Sequence, residues 1–248
     1  MNKPPVVSVV IPAYNEATYI DRLLEALTHQ NFSDFEVIVS DAQSKDGTKE
    51  VVESFKDKLD IKFVEAPPKG PAFGRNQGAK HARGDWLLFF DSDVDLDDRD
   101  FMKKLVEGAQ SKGWSTSSGQ LRVGGNSLLG KLGHNQSYLN LMAHTKHPIA
   151  QGYCILTRRD VFEKLNGFRE NLQYGEDNDY ATRSAKYGFG FVKDATYIVD
   201  PRRYEQEGWM LLFKNMSHEI YRLTHGFSFE KNKQTYDFGK HKARAKDR

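Results

Sequence analysis

Three features of this 248-residue chain predict an α/β fold with a mostly parallel sheet flanked by helices. Short apolar, β-branched runs recur at VVSVVIP, FEVIVS, IKFVE and WLLFF, as expected of strands buried on both faces. Segments with apolar residues at helical spacing lie between them. The runs also end in polar or acidic turns, the edge at which open α/β sheets place their ligands.

In chain order, Val6 to Pro12 reads as the first strand, ended by proline. Ala13 to Glu16 turn into the helix ATYIDRLLEALTHQ, where Ile20, Leu23, Leu24 and Leu27 repeat at helical spacing. FEVIVSDAQSKDGT repeats the design, with Asp41 at the strand end and Asp46 or Gly47 leading into the helix TKEVVESFKDKL. IKFVEAPPKG supplies a third strand and a Pro-Gly loop, PAFGRNQGAKHARG a helix, and WLLFFDSD a fourth strand. Such alternation specifies a parallel sheet with right-handed crossovers. Beyond about Gly113 the pattern changes. STSSGQLRV reads as a strand, LLGKLGHNQSYLNLMAHT as a loop and an amphipathic helix, AQGYCILTRRDVFEKLNGF as a strand, short helix and turn, and ENLQYGEDNDYATRSAKYG as an acidic turn leading into a helix. The expected organisation is one half over residues 1–113, a second half over 114–230 that ends in a helix, and a basic tail over 231–248.

Composition narrows the class. With 36 basic and 34 acidic residues the net charge is only +2, so no nucleic-acid partner is expected. The single cysteine, Cys154 in GYCIL, excludes an intrachain disulfide and reads as a small buried hydrophobe. Met1 to Pro5 is short and polar, and no apolar stretch has the length of a membrane span. A cytoplasmic protein, in solution or peripheral on the membrane, is the expectation.

Chemistry concentrates at Asp91 and Asp93. Two carboxylates separated by one residue after a buried strand can face one hard divalent cation that a substrate diphosphate also binds. A calcium loop of the EF-hand kind would need glycine and glutamate where Leu96 and Met102 stand. Asp97 to Asp100 read instead as the cap and start of the helix DRDFMKKLVEGAQ. The first strand is followed by PAYNE, with no G-x-G-x-x-G, and GPAFGRNQG lacks the ending of a phosphate loop.

Taken in order, PAYNE at 12–16, Asp41 with S-x-D-G-T at 44–48, G-x-x-x-x-R-N-x-G at 70–78, DSD at 91–93 and GEDND at 175–179 resemble the family 2 glycosyltransferases. The match runs from Val6 to about Gly208, and independent motifs in sequence are more specific than any one. The resemblance implies the GT-A fold, a Rossmann-like sheet, with residues 1–113 as the nucleotide-sugar half and 114–230 as the acceptor half. It also implies a nucleoside-diphosphate sugar donor, a divalent cation (Mg2+ or Mn2+), inversion at the anomeric carbon, and a glycan or lipid-linked acceptor. On it, Pro12, Tyr14, Glu16, Asp41, Arg75, Asp91, Ser92 and Asp93 belong to the donor site, with Arg75 reaching the diphosphate or the sugar. Asp91 and Asp93 would hold the metal, and Asp177 would be the catalytic base. Gly152, Glu176 and Asp179 fall on the acceptor side, where acids at a helix N-terminus can also serve only the helix. Arg202 and Arg203 either steady the diphosphate or pair with Asp200 and Glu205.

Three departures bear on the resemblance. Ala42 stands where the family often has a second aspartate, Asp200 stands where a histidine or serine is common, and PRRYEQEGW replaces the Q-x-x-R-W of processive members, so one sugar per encounter is expected. A sugar-nucleotide nucleotidyltransferase would need a glycine-rich, basic first loop that PAYNE does not supply. A non-catalytic sugar-nucleotide binder would have no use for Asp177. The last helix, Gly208 to His225, places Trp209, Leu212, Phe213, Met216, Ile220 and Leu223 on one stripe, which is expected to pack on the domain. The basic tail after it opens the other reading, an interfacial helix on anionic membrane.

Overall fold

A computed structural model describes residues 3–172 and 174–226. The first half follows the sequence pattern: β1 (Val7–Ala13), α1 (Ala17–Thr28), β2 (Phe35–Asp41), α2 (Thr48–Glu53), β3 (Ile61–Glu65), α3 (Pro71–Ala79) and β4 (Trp86–Phe90). A two-residue strand β5 (Val94–Asp95), which no periodicity could reveal, and α4 (Phe101–Ser111) follow. The second half comprises β6 (Thr116–Val123), α5 (Leu128–Gly133), α6 (Gln136–Met142), β7 (Cys154–Arg158), α7 (Arg159–Lys164), α8 (Glu176–Ser184), β8 (Phe189–Val199), α9 (Arg202–Glu207) and α10 (Trp209–His225).

One eight-stranded sheet joins both halves in the order β3-β2-β1-β4-β7-β6-β8-β5. The β3-β2-β1-β4 block is parallel. β7 then runs antiparallel to both β4 and β6, while β8 is parallel to β6. β7 is reached through the long α5–α6 excursion rather than a right-handed βαβ crossover, which frees it to run the other way. Central strands are buried on both faces. Val9 and Ile11 face one core with Leu88, Phe90 and the α1 and α4 helices, and Val10 faces the other with Phe89, Phe168 and Tyr180. Cys154 lies fully buried in β7, as its setting suggested, and burial pushes its thiol up to about 12.

Four sequence expectations change. Asp97 to Asp100 reach the helix only at its cap: α4 begins at Phe101, Asp100 occupies the cap position without a side-chain cap bond, Asp97 pairs with Arg122, and Asp98 with Lys104 at 2.7 Å. The segment read as a loop and an amphipathic helix is two short helices, the expected loop being itself helical, and each is begun by its own cap: Ser127 accepts from Gly130 N and Asn135 from Tyr138 N. The acids of GEDND are not in a turn before a helix. Glu176, Asp177 and Asp179 occupy the first turn of α8, behind left-handed Gly175. Lastly, the apolar stripe of α10 does not pack on the domain. Trp209, Phe213, Met216, Ile220 and Leu223 are each at least 50% exposed, and Leu211 supplies the buried contact. The tail at 231–248 lies outside the described residues.

Helix α3 packs so closely on the sheet that a Cβ on Gly78 would stand 2.4 Å from Val10 Cγ1. Gly78→Ala should therefore destabilise the protein by about 2 kcal/mol despite alanine's better helix propensity, measured as a lower urea midpoint at unchanged slope. A neutral or stabilising result would show that α3 can shift away from β1.

Candidate active site

The carboxyl ends of β1 and β4, the 149–153 loop, the first turn of α8, and helices α5, α6, α9 and α10 enclose a cavity of about 740 Å³. It gathers Pro12, Tyr14, Glu16, Arg75, Asp91, Ser92, Asp93, Gly152, Glu176, Asp177, Arg202 and Arg203. Two sequence-derived candidates fall outside it. Asp41 is 3% exposed and its carboxylate accepts from Ser44 N at 2.8 Å and Ser44 Oγ at 2.5 Å. Asp179 turns to the far side of α8, where it pairs with Arg169 at 3.0 Å and Arg183 at 2.7 Å. Its helical position, two residues beyond Asp177, dictates that: neighbours two apart point about 200° apart around a helix.

Asp91 and Asp93 lie in a turn beyond the end of β4 rather than on the strand. They are not held as a matched pair, because each meets a different arginine. Asp91 Oδ1 accepts from Arg75 Nη2 at 2.6 Å, and Asp93 Oδ2 lies 3.1 Å from Arg202 Nη2. Arg75 is only 2% exposed, so it is a buried strut rather than an arm extended toward a ligand. Its Nη1 donates to Glu176 at 2.8 Å and its Nη2 also reaches Gly152 O at 3.3 Å. Gly152 N in turn donates to Asp177 Oδ2 at 2.9 Å. A Cβ at Gly152 would stand 2.6 Å from Arg75 Nη2, so the contact requires glycine.

Asp177 has its Oδ1 on Asn178 N at 2.7 Å. Burial pushes its carboxyl up, repulsion from Glu176 adds to this, and Arg75 opposes it; the result is about 7. Burial likewise raises Glu16 to about 7, against the pull of Arg202 and with the push of Asp93 and Asp91. Asp93 rises to about 6 for the same reasons. Arg202 sits between Glu16, at 3.5 Å, and Asp93, with its guanidinium 3.9 Å above the Tyr19 ring. Its backbone N caps onto Asp200 Oδ1 at 2.8 Å, while Arg203 Nε pairs with Glu207 at 2.9 Å. Arg202 Nη1 is buried and has no hydrogen-bond partner.

Among the described residues no three of His, Cys, Asp and Glu form a ready metal cage. The donor set still fits a hard cation, since Glu16, Asp91 and Asp93 are crowded enough to repel one another and a positive group already stands between two of them.

Sequence reasoning missed the far wall. His134 is stacked edge-on between Tyr153 and Tyr204, and burial depresses it to about 4. Tyr174 stacks on His218 at 4.2 Å and donates to Asn215 at 2.7 Å; Asn215 donates to Tyr204 Oη at 2.8 Å. The only available signal was the polar face Asn215, Glu219 and Arg222 of α10, which reads as a solvated face.

These features define an enclosed polar site at the carboxyl edge of a mixed α/β sheet, and comparison with known proteins gives the chain a family. The sequence model described as Glycosyl transferase family 2 matches residues 8–166, so the chain belongs to that family. The chain is 30% identical over 200 residues to glycosyltransferase AglE of Haloferax volcanii, across 76% of this chain and 64% of AglE. It is 46% identical over 94 residues to validoxylamine A glucosyltransferase of Streptomyces hygroscopicus, across 36% of this chain and 22% of that protein. The chain thus spans less than two thirds of these relatives. The fold matches mannosyltransferase PcManGT from Pyrobaculum calidifontis in complex with GDP-Man and Mn2+, at TM-score 0.66 and 24% identity over 79% of this chain and 57% of that one. It also matches S. aureus TarS 1-349 in complex with UDP-GlcNAc, at TM-score 0.66 and 24% identity over 78% and 58%. The fold is accordingly GT-A.

Because Arg75 is the shared counter-charge of two carboxylates, Arg75→Met should destabilise the protein by about 3 kcal/mol. Urea unfolding at pH 7 would measure it. An unchanged midpoint would mean that water replaces the guanidinium.

Proposed function

We propose that this glycosyltransferase moves one sugar per encounter from a nucleoside-diphosphate sugar, with inversion, to a hydroxyl of a glycan or lipid-linked acceptor. The observation that carries this reading is the bridge Asp91–Arg75–Gly152–Asp177, which ties the donor-side carboxylates and the candidate base into one cavity.

In the proposed step the acceptor oxygen forms its bond to the anomeric carbon as the bond from that carbon to the diphosphate oxygen breaks. Asp177 takes the acceptor's proton, a task suited to a carboxylate whose pKa lies near neutrality. Pro12 and Tyr14 line the cavity, and on this reading the nucleoside lies against them. The leaving diphosphate carries away the electron pair, and Arg202 Nη1, buried without a partner, has a donor to offer it. A divalent cation, Mg2+ or Mn2+, would be held by Asp91 and Asp93 and would supply neutralisation of phosphate charge. Mn2+ and GDP-Man in the PcManGT complex, and UDP-GlcNAc in that of TarS, support a divalent ion and a nucleotide sugar here. The Campylobacter jejuni relative named GalNAc(5)-diNAcBac-PP-undecaprenol beta-1,3-glucosyltransferase, 32% identical over 134 residues, makes a lipid-linked acceptor and peripheral membrane contact reasonable.

Asp177→Asn keeps the shape but cannot accept the proton. It should bind the donor normally and transfer at least about a hundredfold more slowly. In the wild type, transfer should rise with pH through about 7, because the raised carboxyl is neutral below that point and a base only above it; Asp177→Asn should lose that limb. Wild-type rates in the variant would reassign the base.

Asp93→Ala should abolish cation-dependent binding of UDP or GDP while leaving the fold intact, read by calorimetry with and without Mn2+. Equal metal-dependent affinity in both proteins would remove Asp93 from the donor site.

A further inference from the structure

The helix α10 is built inside out for a protein surface. Its inward face at 211, 215, 218 and 222 is mostly polar and is fastened by hydrogen bonds. Asn215 joins Tyr174 and Tyr204, Glu219 accepts from Tyr138 Oη at 3.1 Å, and Arg222, 8% exposed, donates to His147 O at 3.1 Å. Its outward face is apolar: Met210 is 77% exposed, Phe213 65% and Ile220 61%. An ordinary surface helix has the reverse arrangement, since apolar area gains by leaving water and polar groups gain by keeping it. The neighbouring short helices extend the same surface, with Leu128 and Leu141 each 67% exposed and Leu132 46%. Contiguous exposure on this scale marks an interaction site.

Charge decides among occupants. From Gly108 to Arg159, which includes α5, α6 and the loop after them, the sequence has no Asp or Glu, while Lys131, His144, Lys146 and His147 are exposed there. On α10 the one acid, Glu219, is neutralised by Arg222 at 2.5 Å. The segment that follows, Lys231 to Arg248, is rich in Lys, Arg and His. Even with Asp237 and Asp247, that segment has seven Lys and Arg, and an apolar stripe in a part of the chain with this basic excess matches the interface of an anionic bilayer, where acyl chains take the stripe and headgroups the cations. The stripe also borders the cavity. Leu132, Tyr138, Met216, Ile220 and Leu223, exposed on the surface, also line it, together with Asp177.

We propose that the α5–α6–α10 face docks on an anionic membrane and that the acceptor is a lipid-borne hydroxyl, its apolar chain leaving the cavity between α6 and α10 into the bilayer. This rests on the transferase reading for the acceptor, though not for the docking.

The full chain is mixed with phosphatidylcholine–phosphatidylglycerol vesicles that include a brominated phosphatidylcholine, and sedimentation and tryptophan fluorescence are read together. Trp209, 54% exposed, is the reporter in a Trp114→Phe background, since Trp86 is buried in β4 and Trp114 is only partly buried. Binding at low salt with quenching of Trp209 is expected, together with loss on adding salt and weak binding to phosphatidylcholine alone. Met210→Glu with Phe213→Glu changes two exposed residues outside the cavity. It should lower vesicle affinity about tenfold or more and leave the UDP or GDP melting shift unchanged. No sedimentation with anionic vesicles at low salt overturns the proposal. So does sedimentation without Trp209 quenching, which would leave only the basic tail as the contact, and so does a lipid-free dimer that shields Trp209, which would make the occupant a second copy. If vesicles quench Trp209 but no nucleoside diphosphate raises the melting temperature, the docking surface stands and the transferase reading falls. The reverse pattern removes the membrane alone.

Discussion

A guanidinium shut away from solvent at Arg75 organises the centre of this protein. Transferring it from water is costly and is offset only by well-placed partners. Asp91 comes from the end of β4, Glu176 from the first turn of α8, and Gly152 from the loop before β7, so two ion pairs and a hydrogen bond to the Gly152 carbonyl draw three separate parts of the chain onto one atom group. Phe168 closes it off with its ring 5.4 Å away. The cavity's two chemical sides keep their spacing because they share this cation. Gly152 is the narrowest link, with its carbonyl on Arg75 and its amide on Asp177, and any side chain there would enter the guanidinium's space.

A second arginine governs the donor side by a different logic. Burial and the nearby charges of Asp91 and Asp93 raise Glu16, burial and Asp91 raise Asp93, and Arg202 opposes both from above Tyr19. A folded site of this kind is ready for added positive charge, because a cation gains more from crowded carboxylates than from separated ones. Arg202 comes from α9, held by Asp200 at the end of β8, so the last strand of the sheet feeds back onto the first turn after β1.

The wall supplied by α10 links cavity and surface. Its polar residues point inward and complete the aromatic lining around Tyr174, Tyr204 and His218, while its apolar residues are left outside. One helix thereby serves an enclosed polar site and an exposed apolar face, which is possible because the two faces differ by only about half a turn around a 3.6-residue period.

Much of this was legible in the chain. Buried parallel strands leave continuous apolar runs, so β1 to β4 could be read directly, and a motif at each strand end marks residues that the sheet must bring to one edge. The strand-end pattern by itself points to Asp91 and Asp93, whereas Tyr14, Glu16 and Asp177 join them only through the resemblance to the family 2 glycosyltransferases. Local pattern could not show that β7 inserts antiparallel between β4 and β6, since strand direction depends on the path of the connection rather than on the strand's own residues. Nor could it show that Arg75 is a buried strut, that Asp179 faces away, or which side of α10 turns inward. An amphipathic period shows that a helix has two faces, and only the hydrogen-bonding groups it meets in three dimensions decide which face the protein keeps.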